Sequence, residues 1–99
     1  MLNLNPKYAD MIRKILQQYI PNATVWAYGS RVKNQAHEGS DLDLVIRSGD
    51  VSPQELSTMR AAFSDSNIPI LIDLLDWKNI PESFQAEIEQ KHEPFFGKQ

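Results

Sequence analysis

An acidic pair at the start of a strongly apolar segment is the feature that most restricts the fold of this chain. In YGSRVKNQAHEGSDLDLVI, residues 28–46, Asp41 and Asp43 lead directly into an apolar run. Successive side chains of a strand point to opposite faces, so both acids share a face with Val45. The side chains on the opposite face are Leu42, Leu44 and Ile46. We therefore predict a buried strand that presents two carboxylates near its start.

The rest of the chain predicts three helices and two further strands. Asn5-Pro6 is typical of a helix start, and Pro21 ends the apolar stripe that follows. Ser52 and Glu55 form a capping box before a second helix, and Pro81 opens a third. The predicted strands are residues 24–28, 41–47 and 69–75. This order predicts an α/β (α+β) fold with a small mixed sheet flanked by helices. Residues 94–99 fit either an edge strand or a segment docked on the core.

A third acid, Asp73, falls in the middle of the third predicted strand. A carboxylate there is costly to bury unless it is paired or bound to a metal. Alternate side chains of one strand lie roughly 7 Å apart, so Asp41 and Asp43 can reach one ion, and their repulsion raises their pKa values without a cation. Because the cluster offers only oxygen atoms, it favours Mg²⁺ or Mn²⁺ over zinc.

The Gly29-Ser30 pair lies where the first predicted strand ends. Glycine permits close approach of a ligand, and the backbone N–H groups together with the Ser30 hydroxyl can hold a phosphate. Arg31 and Lys33 follow directly and can neutralise further phosphate charge. A phosphate site beside a carboxylate cluster is the arrangement needed for nucleotidyl transfer.

Composition excludes several other functions. The chain has 99 residues, of which 41% are hydrophobic, which predicts a single domain over residues 1–99. Its formal net charge of -3, without a block of basic residues, argues against a long nucleic-acid partner. It has no cysteine, and no apolar run approaches the length of a membrane span. We expect a cytoplasmic protein with no membrane partner.

The combined spacing of Gly-Ser, Asp-x-Asp and a later strand acid resembles the polymerase-beta-type nucleotidyltransferase superfamily. The segments GSRVK, SDLDLVI and IDLLDW are similar to its minimal nucleotidyltransferases, the antitoxins of HEPN/MNT toxin–antitoxin pairs. The resemblance implies that Gly29 and Ser30 hold the triphosphate of ATP. It also implies that Asp41 and Asp43 ligate two metal ions, and that Asp73 ligates the catalytic metal and orients the acceptor hydroxyl.

The resemblance implies an enzyme that transfers AMP from ATP to a tyrosine hydroxyl of a helical HEPN toxin. Two alternatives use the same fold. In one, the chain neutralises its partner by occlusion without catalysis; in the other, the acceptor is a hydroxyl of a small molecule. Retention of all the acids favours catalysis, because a binding module has no physical need for clustered carboxylates.

Overall fold

The computed structural model describes residues 2–32 and 41–97. The elements, in chain order, are helix α1 (Pro6–Tyr19), strands β1 (Thr24–Tyr28) and β2 (Leu42–Ser48), helix α2 (Pro53–Ser64), strand β3 (Ile72–Asp76), a short 3-10 turn (Trp77–Asn79), helix α3 (Glu82–Gln90) and strand β4 (Glu93–Phe96). The predicted α/β fold is confirmed. Within these two ranges every helix is too short or too polar to cross a bilayer.

Two helices begin where local sequence chemistry predicts. The Asn5 side chain accepts a hydrogen bond from the Lys7 N–H at 2.9 Å, and Pro6 occupies the first turn of α1. At the start of α2, Ser52 Oγ accepts from the Glu55 N–H, and Glu55 Oε1 accepts from the Ser52 N–H, both at 3.1 Å. These reciprocal bonds satisfy backbone donors that the helix leaves without partners.

The four strands form one mixed sheet in the order β3-β2-β1-β4. Strand β1 runs antiparallel to both β2 and β4, whereas β2 and β3 are parallel. A parallel pair needs a crossover connection, and α2 supplies it. Because β2 and β3 run in the same direction, their first residues lie at the same end of the sheet, which brings the predicted acids together.

Apolar side chains cover both faces of the sheet. On one face, the stripes of α1 and α2, including Ile12, Leu16 and Met59, pack against the alternate strand residues that the sequence predicts to point inward. Those strand residues are Leu42, Leu44 and Ile46, each at most 1% exposed. On the other face, Ile88 of α3 packs with Tyr28 and Val45. The acids of β2 therefore share their face with α3.

The second and third strands differ in their bounds from the sequence prediction, since β2 spans Leu42–Ser48 instead of 41–47 and β3 ends at Asp76 instead of residue 75. The third strand begins at Ile72 rather than at residue 69, although Leu42 N–H still donates to the Leu71 carbonyl at 2.9 Å. The apolar pattern extends through Pro69–Leu71 without a break, so it could not show where the ladder starts. The C-terminal tail satisfies both alternatives, because Glu93–Phe96 pairs with β1 as an edge strand while Phe95 is buried in the core.

An arginine from a neighbouring helix caps each edge strand. Arg60 of α2 donates from Nε and Nη2 to the Leu74 carbonyl of β3, at 3.2 and 2.7 Å. Arg13 of α1 donates from Nε to the Phe95 carbonyl of β4 at 3.0 Å, and its guanidinium lies 4.5 Å from the Phe95 ring centre. Both edges thus have a backbone carbonyl bound by a side chain.

Candidate active site

Strand pairing places Tyr28, Asp43 and Asp73 side by side across the sheet; these three residues together with Asp41 are called the row below. Asp43 of β2 pairs with Asp73 of β3 in the parallel ladder, and it pairs with Tyr28 of β1 on its other side. Directly paired residues point to the same face, so these three side chains are neighbours. Asp41 lies immediately before β2, two residues from Asp43. The fold therefore brings all three predicted acids to one end of the sheet.

The three acids differ in exposure. Asp41 and Asp73 are exposed and Asp43 is half-buried. The prediction that Asp73 sits in the middle of a buried strand is wrong: β3 begins only one residue earlier and is an edge strand, so its second residue remains open to solvent. The acid that is partly removed from water is Asp43, between Tyr28 and Asp73.

The pKa values of two residues of the row, Asp43 and Tyr28, are raised by their surroundings. Burial raises the pKa of the Asp43 carboxyl, and the charges of Asp73 and Asp41 raise it further. Burial, followed by the charges of Asp43 and Asp73, raises the pKa of the Tyr28 phenol. Like charges held close together destabilise each other's ionised form, and a bound cation relieves that repulsion.

Gly29 brings the backbone against the row. Its φ of +83° is a left-handed conformation that favours glycine. A β-carbon at this position would overlap Asp43 Oδ2 and lie 3.2 Å from Asp43 Cγ. The chain then turns through Ser30, with the Val32 N–H donating to the Gly29 carbonyl at 3.1 Å. The predicted phosphate-binding turn thus lies directly beside the predicted metal ligands.

Arg31 has a structural contact that the sequence did not predict. Its side chain is only 7% exposed, and Nη1 donates to the Asn3 carbonyl at 2.7 Å. The Asn3 N–H in turn donates to the Arg31 carbonyl at 3.0 Å. Arg31 therefore joins the N-terminal segment to the turn after β1, and its role in nucleotide binding stays a prediction. Lys33, the second predicted phosphate ligand, lies outside the described residues.

The row fits a hard divalent cation in the chemistry of its donors. Asp41, Asp43 and Asp73 offer carboxylate oxygens only, and burial together with the charges of Asp73 and Asp41 raises the pKa of Asp43. In residues 2–32 and 41–97, no three His, Cys, Asp or Glu side chains are grouped as ligands of one ion. A metal held here would need side-chain rotation or further ligands from a nucleotide phosphate.

A small cavity beside the row is lined in part by α3 residues that no sequence motif marks as functional. It measures about 110 Å³ and is lined by Tyr28, Gly29, Phe84, Glu87, Ile88 and Lys91. Larger cavities have none of the three acids in their lining, including one of about 350 Å³ lined in part by Tyr8, Arg31 and Pro69, so size alone does not locate the site. No local motif marks the α3 residues, because only the packing of α3 on the sheet brings them to Gly29.

Comparison with known proteins finds a matching family model and a similar named protein. Residues 10–99 match the family model described as polymerase beta, nucleotidyltransferase. The chain is also similar to the probable protein adenylyltransferase MntA of Haemophilus influenzae. The two are 40% identical over 94 residues, which cover 90% of this chain and 79% of that protein.

Solved structures share the fold at low sequence identity. A mutant toxin–antitoxin complex, MntA–HpeT, matches with a TM-score of 0.76 and 18% identity, over 97% of this chain and 76% of the matched one. A toxin–antitoxin structure with AMP-PNP matches with a TM-score of 0.70 and 21% identity, over 92% of this chain and 74% of the matched one. A complex of tri-AMPylated Shewanella oneidensis HEPN toxin with MNT antitoxin matches with a TM-score of 0.67 and 18% identity, over 97% of this chain and 75% of the matched one.

Proposed function

This chain belongs to the polymerase beta nucleotidyltransferase family, and we propose that it transfers AMP from ATP to a tyrosine hydroxyl of a HEPN toxin, which it thereby neutralises. The relative from Haemophilus influenzae is named a probable protein adenylyltransferase, and its 40% identity supports the same reaction here. The structure of an AMPylated HEPN toxin with an MNT antitoxin supports the choice of partner.

The observation that carries the proposal is the order of groups along the row. Asp73 lies at one end, Asp43 in the middle, and Gly29 on the far side of Asp43. In nucleotidyl transfer the attacking and leaving oxygens lie roughly in line through the phosphorus. An α-phosphate beside Asp43 would therefore receive the acceptor from the Asp73 end and release pyrophosphate toward Gly29 and Ser30.

The chemical step breaks one bond and forms one. The acceptor oxygen bonds to the α-phosphorus, the bond from that phosphorus to the bridging oxygen breaks, and pyrophosphate leaves with the electron pair. Asp73 orients the acceptor hydroxyl by accepting a hydrogen bond from it, and the hydroxyl proton passes to water. Gly29 and Ser30 hold the terminal phosphates through backbone N–H groups and the Ser30 hydroxyl.

Asp41, Asp43 and Asp73 would hold two Mg²⁺ ions, with Mn²⁺ as a substitute. When bound, the ions neutralise phosphate charge and make the acceptor hydroxyl more acidic. The protein's own contribution is to keep three oxygen donors within one row, and to keep Asp43 partly out of water, where its attraction for a cation is stronger.

Exposure at the acceptor end supports a protein substrate. Asp73 is open to solvent, and Leu71, two residues earlier, is 74% exposed. An open acceptor end leaves room for a protein surface beside Asp73. The similarity to a protein named a probable protein adenylyltransferase favours a protein acceptor over the small-molecule alternative.

The test is transfer of label to a HEPN protein encoded beside this chain. ATP labelled at the α-phosphate should label the partner in the presence of Mg²⁺, whereas ATP labelled at the γ-phosphate should not. Asp73→Asn should remain folded and bound to the partner while transfer falls about a hundredfold. Asp50→Asn, which changes an exposed acid beyond the opposite end of β2, is the matched control and should keep the wild-type rate.

Toxicity separates catalysis from occlusion. Under the catalytic proposal, co-expression of the Asp73→Asn variant fails to suppress the partner's toxicity. Full suppression by a variant with asparagine at Asp41, Asp43 and Asp73 would refute catalysis and establish neutralisation by occlusion.

A further inference from the structure

We propose that Lys91 binds the terminal phosphates of ATP from the opposite side of the cavity beside Gly29. The proposal rests on the nucleotidyl transfer proposed above and assigns one further residue to that reaction. It concerns the cavity lined by Tyr28, Gly29, Phe84, Glu87, Ile88 and Lys91, called here the α3 cavity.

Packing holds the last turn of α3 against the end of β1. Ile88 is 2% exposed and packs with Tyr28 and Val45 on the sheet. The Phe84 and Tyr28 rings meet edge-to-face, with centres 5.7 Å apart and planes at 83°. Lys91 follows the helix as its C-terminal cap, with its N–H donating to the Ile88 carbonyl at 3.2 Å. Its backbone is therefore held beside the cavity while its side chain remains exposed.

The direction of transfer places pyrophosphate, and not the acceptor, at this cavity. Asp73 marks the acceptor end of the row, on an edge strand two strands away from β1. Gly29 lies on the other side of Asp43 and also lines the α3 cavity. Since the leaving group departs opposite the attacking oxygen, the terminal phosphates must lie on the Gly29 side.

Charge balance favours a further cation at that position, in addition to the two proposed Mg²⁺ ions. The triphosphate is a polyanion, and the row adds the carboxylates of Asp41, Asp43 and Asp73. Arg31, the cation that the sequence places beside Gly29, directs its guanidinium to the Asn3 carbonyl. Lys91 lines the same cavity as Gly29, and an ammonium group suits terminal phosphate oxygens as a point charge.

The test compares affinities for three ligands in the presence of Mg²⁺, measured by calorimetry: ATP, inorganic pyrophosphate and AMP. Lys91→Ala should lower the affinity for ATP and for pyrophosphate about tenfold, as expected for loss of one charged contact. The affinity for AMP should change by less than about twofold. Lys91→Arg should restore most of the affinity. Lys14→Ala, which removes an exposed lysine from α1, is the matched control and should bind all three ligands normally.

A second variant tests the sign of the effect. Glu87 lines the same cavity with the opposite charge, so Glu87→Gln should tighten ATP and pyrophosphate binding. A purely structural role of Lys91, in which its charge complements the C-terminal end of the α3 dipole, predicts a lower melting temperature and equal losses for all ligands.

Equal losses for all three ligands, or unchanged affinity in Lys91→Ala while the wild-type protein binds ATP, would overturn this inference and leave the proposed function standing. Absence of ATP binding by the wild-type protein would overturn both.

Discussion

Replacing Gly29 by alanine should separate a moderate cost in stability from a large cost in activity. An alanine at φ +83° takes a left-handed conformation that costs about 1–2 kcal/mol. In a domain of this size, each 1 kcal/mol lowers the melting temperature by about 4–8 °C. We therefore expect Gly29→Ala to fold, with a melting temperature lower by about 4–16 °C.

The added methyl group acts on function through Asp43. It would overlap Asp43 Oδ2 while lying 3.2 and 3.4 Å from Asp43 Cγ and Cβ. The end of a flexible side chain gives way before the backbone does, so the carboxylate should rotate out of the row. Loss of one contact to a charged ligand costs about 1.5–3 kcal/mol. This corresponds to a rate of nucleotidyl transfer lower by about ten- to a hundredfold.

Gly49→Ala is the matched control for strain away from the site. Gly49 has φ +129° and follows the opposite end of β2, where an added methyl group would lie 2.8 Å from Ala23 Cβ. This control should lose at least as much stability, yet keep the wild-type rate at a temperature where both variants are folded. A normal rate in Gly29→Ala, or equal losses of rate in both variants, would show that the close approach of Gly29 to Asp43 does not control nucleotidyl transfer.

Two further substitutions test the row and the turn. Because the pKa of Asp43 is raised in the folded state, the protein is more stable when this carboxyl is protonated. This stability is fully present below the unfolded-state pKa and is lost as pH rises through the folded-state pKa. Asp43→Asn should therefore be more stable than wild type by about 0.2–1 kcal/mol at neutral pH without metal, and equally stable near pH 3. Thermal unfolding in the presence of a chelator measures this difference. A difference that does not change with pH would contradict the prediction. Ser30→Ala should weaken ATP binding about ten- to hundredfold while the melting temperature stays within a few degrees. Unfolding of Ser30→Ala would instead assign Ser30 to the turn.

The parts of the fold set by neighbouring residues could be predicted from the sequence. The caps of α1 and α2 depend on side chains within three positions of the helix start, and the two faces of β2 follow from alternation alone. The convergence of Asp43 and Asp73 could also be anticipated, since two apolar strands separated by one helix favour a parallel pair. The residue at which β3 begins could not, because hydrogen bonding and not hydropathy defines the strand end.

The features of the site that the sequence did not predict depend on contacts between distant parts of the chain. The position of Arg31 beside Ser30 predicts a phosphate ligand, and this role stays a prediction; the sequence does not predict the bond from its guanidinium to the Asn3 carbonyl, 28 positions earlier in the chain. Lys91 has no motif around it and lines the same cavity as Gly29 only because Ile88 and Phe84 pack on the sheet. Long side chains can extend in several directions, and only the folded packing selects one of them.

The arginines that cap the sheet restrict how other chains can attach. An open edge strand is a template on which a further strand, from a partner or an identical copy, can pair. Here Arg60 binds the Leu74 carbonyl on one edge and Arg13 binds the Phe95 carbonyl on the other. A strand added at either edge must first displace a guanidinium from its acceptor. Each guanidinium thus disfavours pairing of a further strand at its edge, which makes side-chain surfaces the more favourable place for another chain to bind.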